Sequence, residues 1–159
     1  KMNFDHIGIF VKDIKIGLKH LKATFPITRY SQEYKDPLLK VIVQFCYDKD
    51  DICYELVAPY GDNNPVDSVL ISNNNILNHI AYTSKTFDQT VKDLRKKGCV
   101  PLVVAKPAIA FDGARVIFFL TPLRMILEIR VYVLSIHLAF SNLLGLLGST
   151  CIQSVRIIY

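Results

Sequence analysis

The chain has 159 residues, 51% of them hydrophobic, and its 19 Lys and Arg against 14 Asp and Glu give a net charge of +5. That length suits one domain or two small modules sharing a core. No arginine-rich stripe interleaved with aromatics is present, which argues against nucleic acid as a partner, whereas a mildly basic surface suits an anionic small molecule.

In chain order, the first half reads as a strand over 3–12 and a helix over 13–24, with strands near 27–34, 39–47 and 52–58. The strands rest on β-branched and aromatic runs such as "KVIVQFCY". The helix rests on Ile14, Leu18, Leu21 and Phe25 at helical spacing. The turn-rich "APYGDNNP" of 58–65 links the halves. The second half repeats the order: a strand over 78–83, a helix over 87–97 ending at Gly98, and strands near 100–105, 114–121 and 125–132. Phe87, Val91 and Leu94 give that helix an apolar face, and Thr86 is its expected N-cap.

The repeat has a period. His6 and His79 are 73 residues apart (79 − 6), and so are Glu55 and Glu128 (128 − 55). Asp13, which opens the first helix, falls on Thr86 at the same offset. Each unit therefore carries one His on its first strand and one Glu on its last. A repeated unit of this kind stacks on its copy to complete a shared core. Two imidazoles and two carboxylates form a compact ligand set for a divalent transition metal, with positions left open for a bidentate substrate. Taken singly, either histidine would read as an ordinary core residue; the matched period of both His and Glu outweighs that reading.

A βαβββ repeat with His on each first strand and an acid on each last strand resembles the vicinal oxygen chelate superfamily. That superfamily includes glyoxalase I, methylmalonyl-CoA epimerase, extradiol dioxygenases and bleomycin-resistance proteins. The resemblance implies an α+β glyoxalase-like fold, in which paired βαβββ modules (3–60 and 76–130, within a domain of 1–130) form a curved mixed sheet around a metal-binding cleft. It places metal ligands at His6, Glu55, His79 and Glu128, holding a divalent ion such as Zn, Ni, Co, Mn or Fe. Extradiol dioxygenases use two His and one Glu, so Glu55 argues against oxygen-activating iron. "ELVAPYGDNNPVDSVL" and "NHIAY" are similar to the epimerase pattern, whereas Phe10 and Pro59 stand where glutathione-dependent glyoxalases carry Arg and Asn. The last hairpin, "TPLRMILE", has a more glyoxalase-like length.

The implied chemistry is proton abstraction next to a carbonyl or thioester, by a metal-dependent isomerase, epimerase or lyase acting on a small molecule such as an acyl-CoA or other thioester. Glu128 is the expected ligand-base and Glu55 the second catalytic carboxylate. The alternative is a non-catalytic binding or resistance protein of the same fold. Bacterial epimerases carry a Glu on the third strand, where "KVIVQFCY" offers only Gln44. If "DKDD" (48–51) is the turn, Gln44 opposes Glu55 and Cys46 opposes Cys53, which would aim Gln44 at substrate. Asp112 and Arg115, in "AFDGARV", are further candidates for substrate binding.

Four cysteines, Cys46, Cys53, Cys99 and Cys151, form no Cys-x-x-Cys pair and are expected to be reduced thiols. With no N-terminal signal pattern, a reducing cytoplasm is the expected setting. Residues 131–155 contain no Lys, Arg, Asp or Glu. The segment is long enough to span a bilayer, but its Ser, Asn, Gly and His137 favour an apolar helical extension (131–159) packed on the domain or across a homodimer interface.

Overall fold

The computed structural model describes residues 1–70 and 75–133; of the extension expected over 131–159, Val131 ends the last strand and everything from residue 134 lies outside the described residues. The first module runs β1 (Met2–Phe10), α1 (Ile14–Thr24), β2 (Ile27–Tyr30), β3 (Tyr34–Asp36), β4 (Val41–Asp48) and β5 (Cys53–Pro59). The second runs β6 (Ile76–Ser84), α2 (Phe87–Lys96), β7 (Val100–Pro101), β8 (Lys106–Ala108), a 3-10 turn (Ile109–Phe111), β9 (Ala114–Leu120) and β10 (Ile126–Val131). The short strands β3 and β8, one per module, were not evident in the residue pattern. The run expected near 100–105 pairs only over Val100–Pro101, and Val103 and Val104 are exposed.

The ten strands of the described residues form one open curved sheet, ordered β2-β4-β5-β1-β6-β10-β9-β7, with β3 on β4 and β8 on β9. The two first strands, β1 and β6, pair antiparallel at its centre. Each lies parallel to the last strand of its own module, β5 or β10. A pseudo-twofold axis therefore passes between β1 and β6, and the two His and two Glu occupy the four central strands.

Strand alternation divides the core by face. Leu56, Cys46 and Ala58 pack under α1 against Ile14 and Leu21. Ile117, Phe119 and Ile129 pack under α2 against Phe87 and Leu94. Phe10, Val41, Val43, Phe45 and Val57 line the opposite, concave face. The Asp13 carboxylate caps α1 by accepting from Ile16 N. Thr86 holds the equivalent place before α2, but its side chain makes no capping bond; Ser84 Oγ instead accepts from Thr86 N. Gly98, at φ 84°, ends α2 as expected, in a conformation that costs glycine little.

The β4–β5 hairpin corrects the expected register. Phe45, not Gln44, lies opposite Glu55, and Tyr47, not Cys46, lies opposite Cys53. The cause is the turn: Asp48 N donates to Ile52 O, Asp48 Oδ1 accepts from Asp50 N and Ile52 N, and Asp51 takes the left-handed conformation at φ 59°. That three-residue turn with a left-handed last residue replaces the four-residue loop first inferred. A one-residue slip moves every side chain of the strand to the other face. Cys46 consequently lies in the α1 layer and Cys53 on the concave side; both, with Cys99, are free thiols. Among the described residues no helix is long and apolar enough to cross a membrane.

Candidate metal centre

His6, Glu55, His79 and Glu128 meet at the pseudo-twofold axis, all buried, each offering one ligand atom within 4.8 Å of the others. The His6 and His79 Nε2 atoms are 3.3 Å apart. Glu55 Oε2 lies 3.3 Å from His6 Nε2 and 3.1 Å from His79 Nε2; Glu128 Oε2 lies 3.6 and 3.1 Å from the same atoms.

The register explains how four bulky groups fit. Gly8 pairs with both Glu55 and His79, and Ala81 pairs with both Glu128 and His6. Gly8 and Ala81 are themselves one period apart. A Cβ on Gly8 would run into the His79 ring. Phe45 and Phe118, also one period apart, lie opposite Glu55 and Glu128 and set their ring edges against His6 and His79.

The rings are aimed by neighbours in the chain. His6 Nδ1 donates to Asp5 Oδ2 at 2.8 Å, and His79 Nδ1 donates to Asn78 Oδ1 at 3.0 Å. Asp5 and Asn78 are another 73-residue pair, and each is the residue skipped at a β-bulge in the β1–β6 ladder. Regular alternation would turn the residue before each His to the helix-covered face; the bulge brings it round to the imidazole. Asp5 is held in turn by Arg130, whose Nε and Nη2 donate at 2.7 and 2.6 Å.

With Nδ1 committed as a donor on both rings, each neutral imidazole presents its Nε2 lone pair to the centre. Two lone pairs and two carboxylates then face one another in a buried space, an arrangement that requires positive charge. Burial alone raises the Glu55 carboxyl, but the charges and hydrogen bonds of His6 and His79 outweigh it and hold it at about 2. Glu128 is lowered by the same contest. Burial lowers His79, but hydrogen bonds to Glu128 and Glu55 bring it up to about 9, and His6 rises well above its usual value through Glu55 and Asp5. Asp5 is lowered, its burial outweighed by His6 and Arg130. Glu128 Oε1 is buried with no hydrogen-bond partner. Converging donors, fixed tautomers and an orphaned carboxylate oxygen all fit a divalent cation.

A cavity of about 620 Å³ opens beside the cluster, with Glu55, His79 and Glu128 on its lining among Phe10, Val43 and Phe118. The substrate-binding residues inferred from sequence are not on it. Gln44 faces the α1 layer, its Nε2 donating to Ser31 O, because of the register slip. Arg115 makes a two-pronged ion pair with Asp88 and lies over the Phe87 ring of α2. Asp112 caps the 3-10 turn in a left-handed conformation.

Residues 5–118 match the profile of a family described as the glyoxalase/bleomycin resistance protein/dioxygenase superfamily. The chain belongs to that superfamily. Solved structures of similar shape include a hypothetical protein from Bacillus halodurans C-125, with a TM-score of 0.70 and 20% identity over 83% of this chain and 95% of that one. Methylmalonyl-CoA epimerase from Mycobacterium tuberculosis gives a TM-score of 0.67 and 16% identity over 80% and 86%. A Streptomyces coelicolor methylmalonyl-CoA epimerase variant in complex with 2-nitronate-propionyl-CoA gives 0.64 and 22% over 80% and 95%. No curated protein matches by sequence. At these identities the likeness is one of fold, and the chemistry has to be argued from the cluster.

Proposed function

We propose that this superfamily member is a metal-dependent isomerase, epimerase or lyase that moves a proton next to a carbonyl or thioester. The observation that carries the reading is the buried four-donor cluster, with Glu128 Oε1 left unpartnered, beside a cavity of about 620 Å³ that Glu55, His79 and Glu128 help to line. His6 and His79 Nε2, Glu55 and Glu128 would hold the ion. When bound, a divalent ion supplies Lewis-acid stabilisation of negative charge developing on substrate oxygens.

The remaining work falls to the chain itself. Glu128 takes the proton from the carbon next to the carbonyl, as the carboxylate that β10 brings to the cavity lining. Glu55 approaches from β5, across the pseudo-twofold axis from Glu128 on β10, so a carboxylate faces the centre from either module. That symmetry suits return of the proton to the opposite side of the same carbon, or to its neighbour. Asp5 and Asn78 keep both imidazoles in the metal-binding tautomer. The apolar lining excludes water and strengthens the electrostatics of the centre. The two epimerases of similar fold, one of them in complex with a CoA ligand, are consistent with an acyl thioester as substrate. The three free thiols among the described residues suit a reducing cytoplasm, and the apolar run beyond the domain suits a homodimer.

The test is deuterium exchange at the α-carbon of 2-hydroxyacyl thioesters by metal-loaded protein. Exchange should fall by about 10²–10⁴-fold in Glu128→Gln, the range for loss of a general base, while substrate still binds. Stoichiometric ligand binding with no exchange in the parent protein would instead assign a binding role.

A further inference from the structure

The large cavity is not the only one beside the cluster. A second, of about 270 Å³, is lined by Asp5, His6, Ser31, Tyr47, Cys53 and Arg130 among others. Ala110 and Phe111 line both. The 3-10 turn that carries them is therefore the partition, with His6 on one side and Glu55, His79 and Glu128 on the other. Phe111 is pinned from three directions. It stacks on the His6 ring at 5.7 Å and 22°, lies 5.5 Å from the Phe45 ring, and carries the Arg130 guanidinium 4.6 Å from its own centroid. Asp36 Oδ2 anchors the turn by accepting from Ile109 N at 2.8 Å. Asp36 and Ile109 are again one period apart, so the turn closes the concave face across the pseudo-twofold axis.

The chemistry of the larger cavity is restrictive. Its inner wall is Phe10, Val41, Val43, Val57, Phe118 and Ile126. The polar residues on its lining are largely committed elsewhere. Asp36 accepts from three backbone N–H groups, Asn64 bonds Gly61 O, Asp67 and two backbone amides, and Ser68 Oγ donates to Pro65 O. The cationic lining residues are Lys40, whose ammonium donates to Asp62 O, and Lys106. A second charged group beside the reacting carbon would have no partner on the inner wall, whereas an alkyl or aryl group would cover apolar surface.

Building on the proposed function, we propose that the substrate places its oxygens at the His/Glu cluster and an extended alkyl or aryl body along the apolar inner wall of the larger cavity, with Phe111 closing that cavity beside His6. This is a different substrate class from a short dicarboxylic acyl group.

The test is calorimetric binding of straight-chain 2-hydroxy acids, from 2-hydroxybutyrate to 2-hydroxytetradecanoate, to zinc-loaded protein, with the parent fatty acids run in parallel. Affinity should rise about fourfold per methylene, the transfer value for burying a CH₂, up to a cut-off length and then stop rising. Affinity independent of chain length overturns the inference. Zinc content measured on the same samples separates the two proposals. If no zinc is held, the metal reading fails while the fatty-acid series still decides the cavity. If zinc is held and the series is flat, only the cavity assignment fails.

Discussion

Gly8→Ala is the smallest change that should disable the cluster. Gly8 sits on β1 directly opposite His79, in a ladder where Ile7 and Ile80 pair on one side, so neither strand can retreat without breaking the central pair of the sheet. The added methyl would occupy the space of the His79 ring, meeting Cε1, Nε2 and Nδ1 together. The ring must swing away, losing its Nδ1 bond to Asn78 and withdrawing Nε2 from the centre. Loss of an orienting partner alone costs about 10–100-fold in metal affinity, about 1.4–2.7 kcal/mol; displacement of the ligand itself should reach at least that range. Overpacking adds about 1–3 kcal/mol of destabilisation to the metal-free fold. The assay is competition of wild-type and variant protein against a zinc chelator, with Ala81→Gly, the period-related site that already tolerates a methyl, as control. Wild-type zinc affinity in a folded Gly8→Ala protein would refute the packing on which this reasoning depends.

Asp5→Ala should lower zinc affinity by about 10–100-fold, and more than Asn78→Ala does, because Asp5 is a charged partner of His6 and also holds Arg130. Metal-free protein should lose stability as pH rises from 6.5 to 9. The folded-state His79 pKa of about 9 lies above its unfolded value of 6.5, so its contribution is complete below 6.5 and gone above 9. The span corresponds to up to about 3 kcal/mol, readable by urea titration, and a metal-loaded sample should not show that loss. Glu55, depressed to about 2, acts in the opposite direction and its contribution disappears as pH falls from 4.5 toward 2. Arg115→Ala removes an exposed ion pair, neither partner of which is on the cavity lining, and should leave zinc affinity and substrate exchange unchanged; a marked loss of exchange would restore it to the site.

The sequence carried more of this arrangement than alternation and composition could extract. The 73-residue period identified the two His and two Glu because histidine and glutamate inside apolar strands stand out. The same period relates Asp5 to Asn78, Gly8 to Ala81 and Phe45 to Phe118, but those pairs are chemically unlike or unremarkable in strands. Asp5 and Asn78 were hidden for a specific reason: strict alternation puts the residue before a buried His on the other face, and only a bulge reverses that. Gln44 was misplaced by one residue because nothing in "DKDD" announces that Asp51 will adopt a left-handed conformation while Asp48 closes the turn. Arg115 reads as a cleft residue in a Gly-containing loop; its capture by Asp88, 27 residues away on α2, is a tertiary pairing that local pattern does not encode.

The central claim is that His6, Glu55, His79 and Glu128 act together as one cation site. X-ray absorption at the metal edge of purified, zinc-supplemented protein tests it most directly. One ion per chain is expected, with two imidazole nitrogens, oxygen donors and no sulfur, and occupancy should collapse in His6→Ala and His79→Ala alike. Absence of stoichiometric metal, a sulfur ligand, or retention of the ion in either variant would contradict the account.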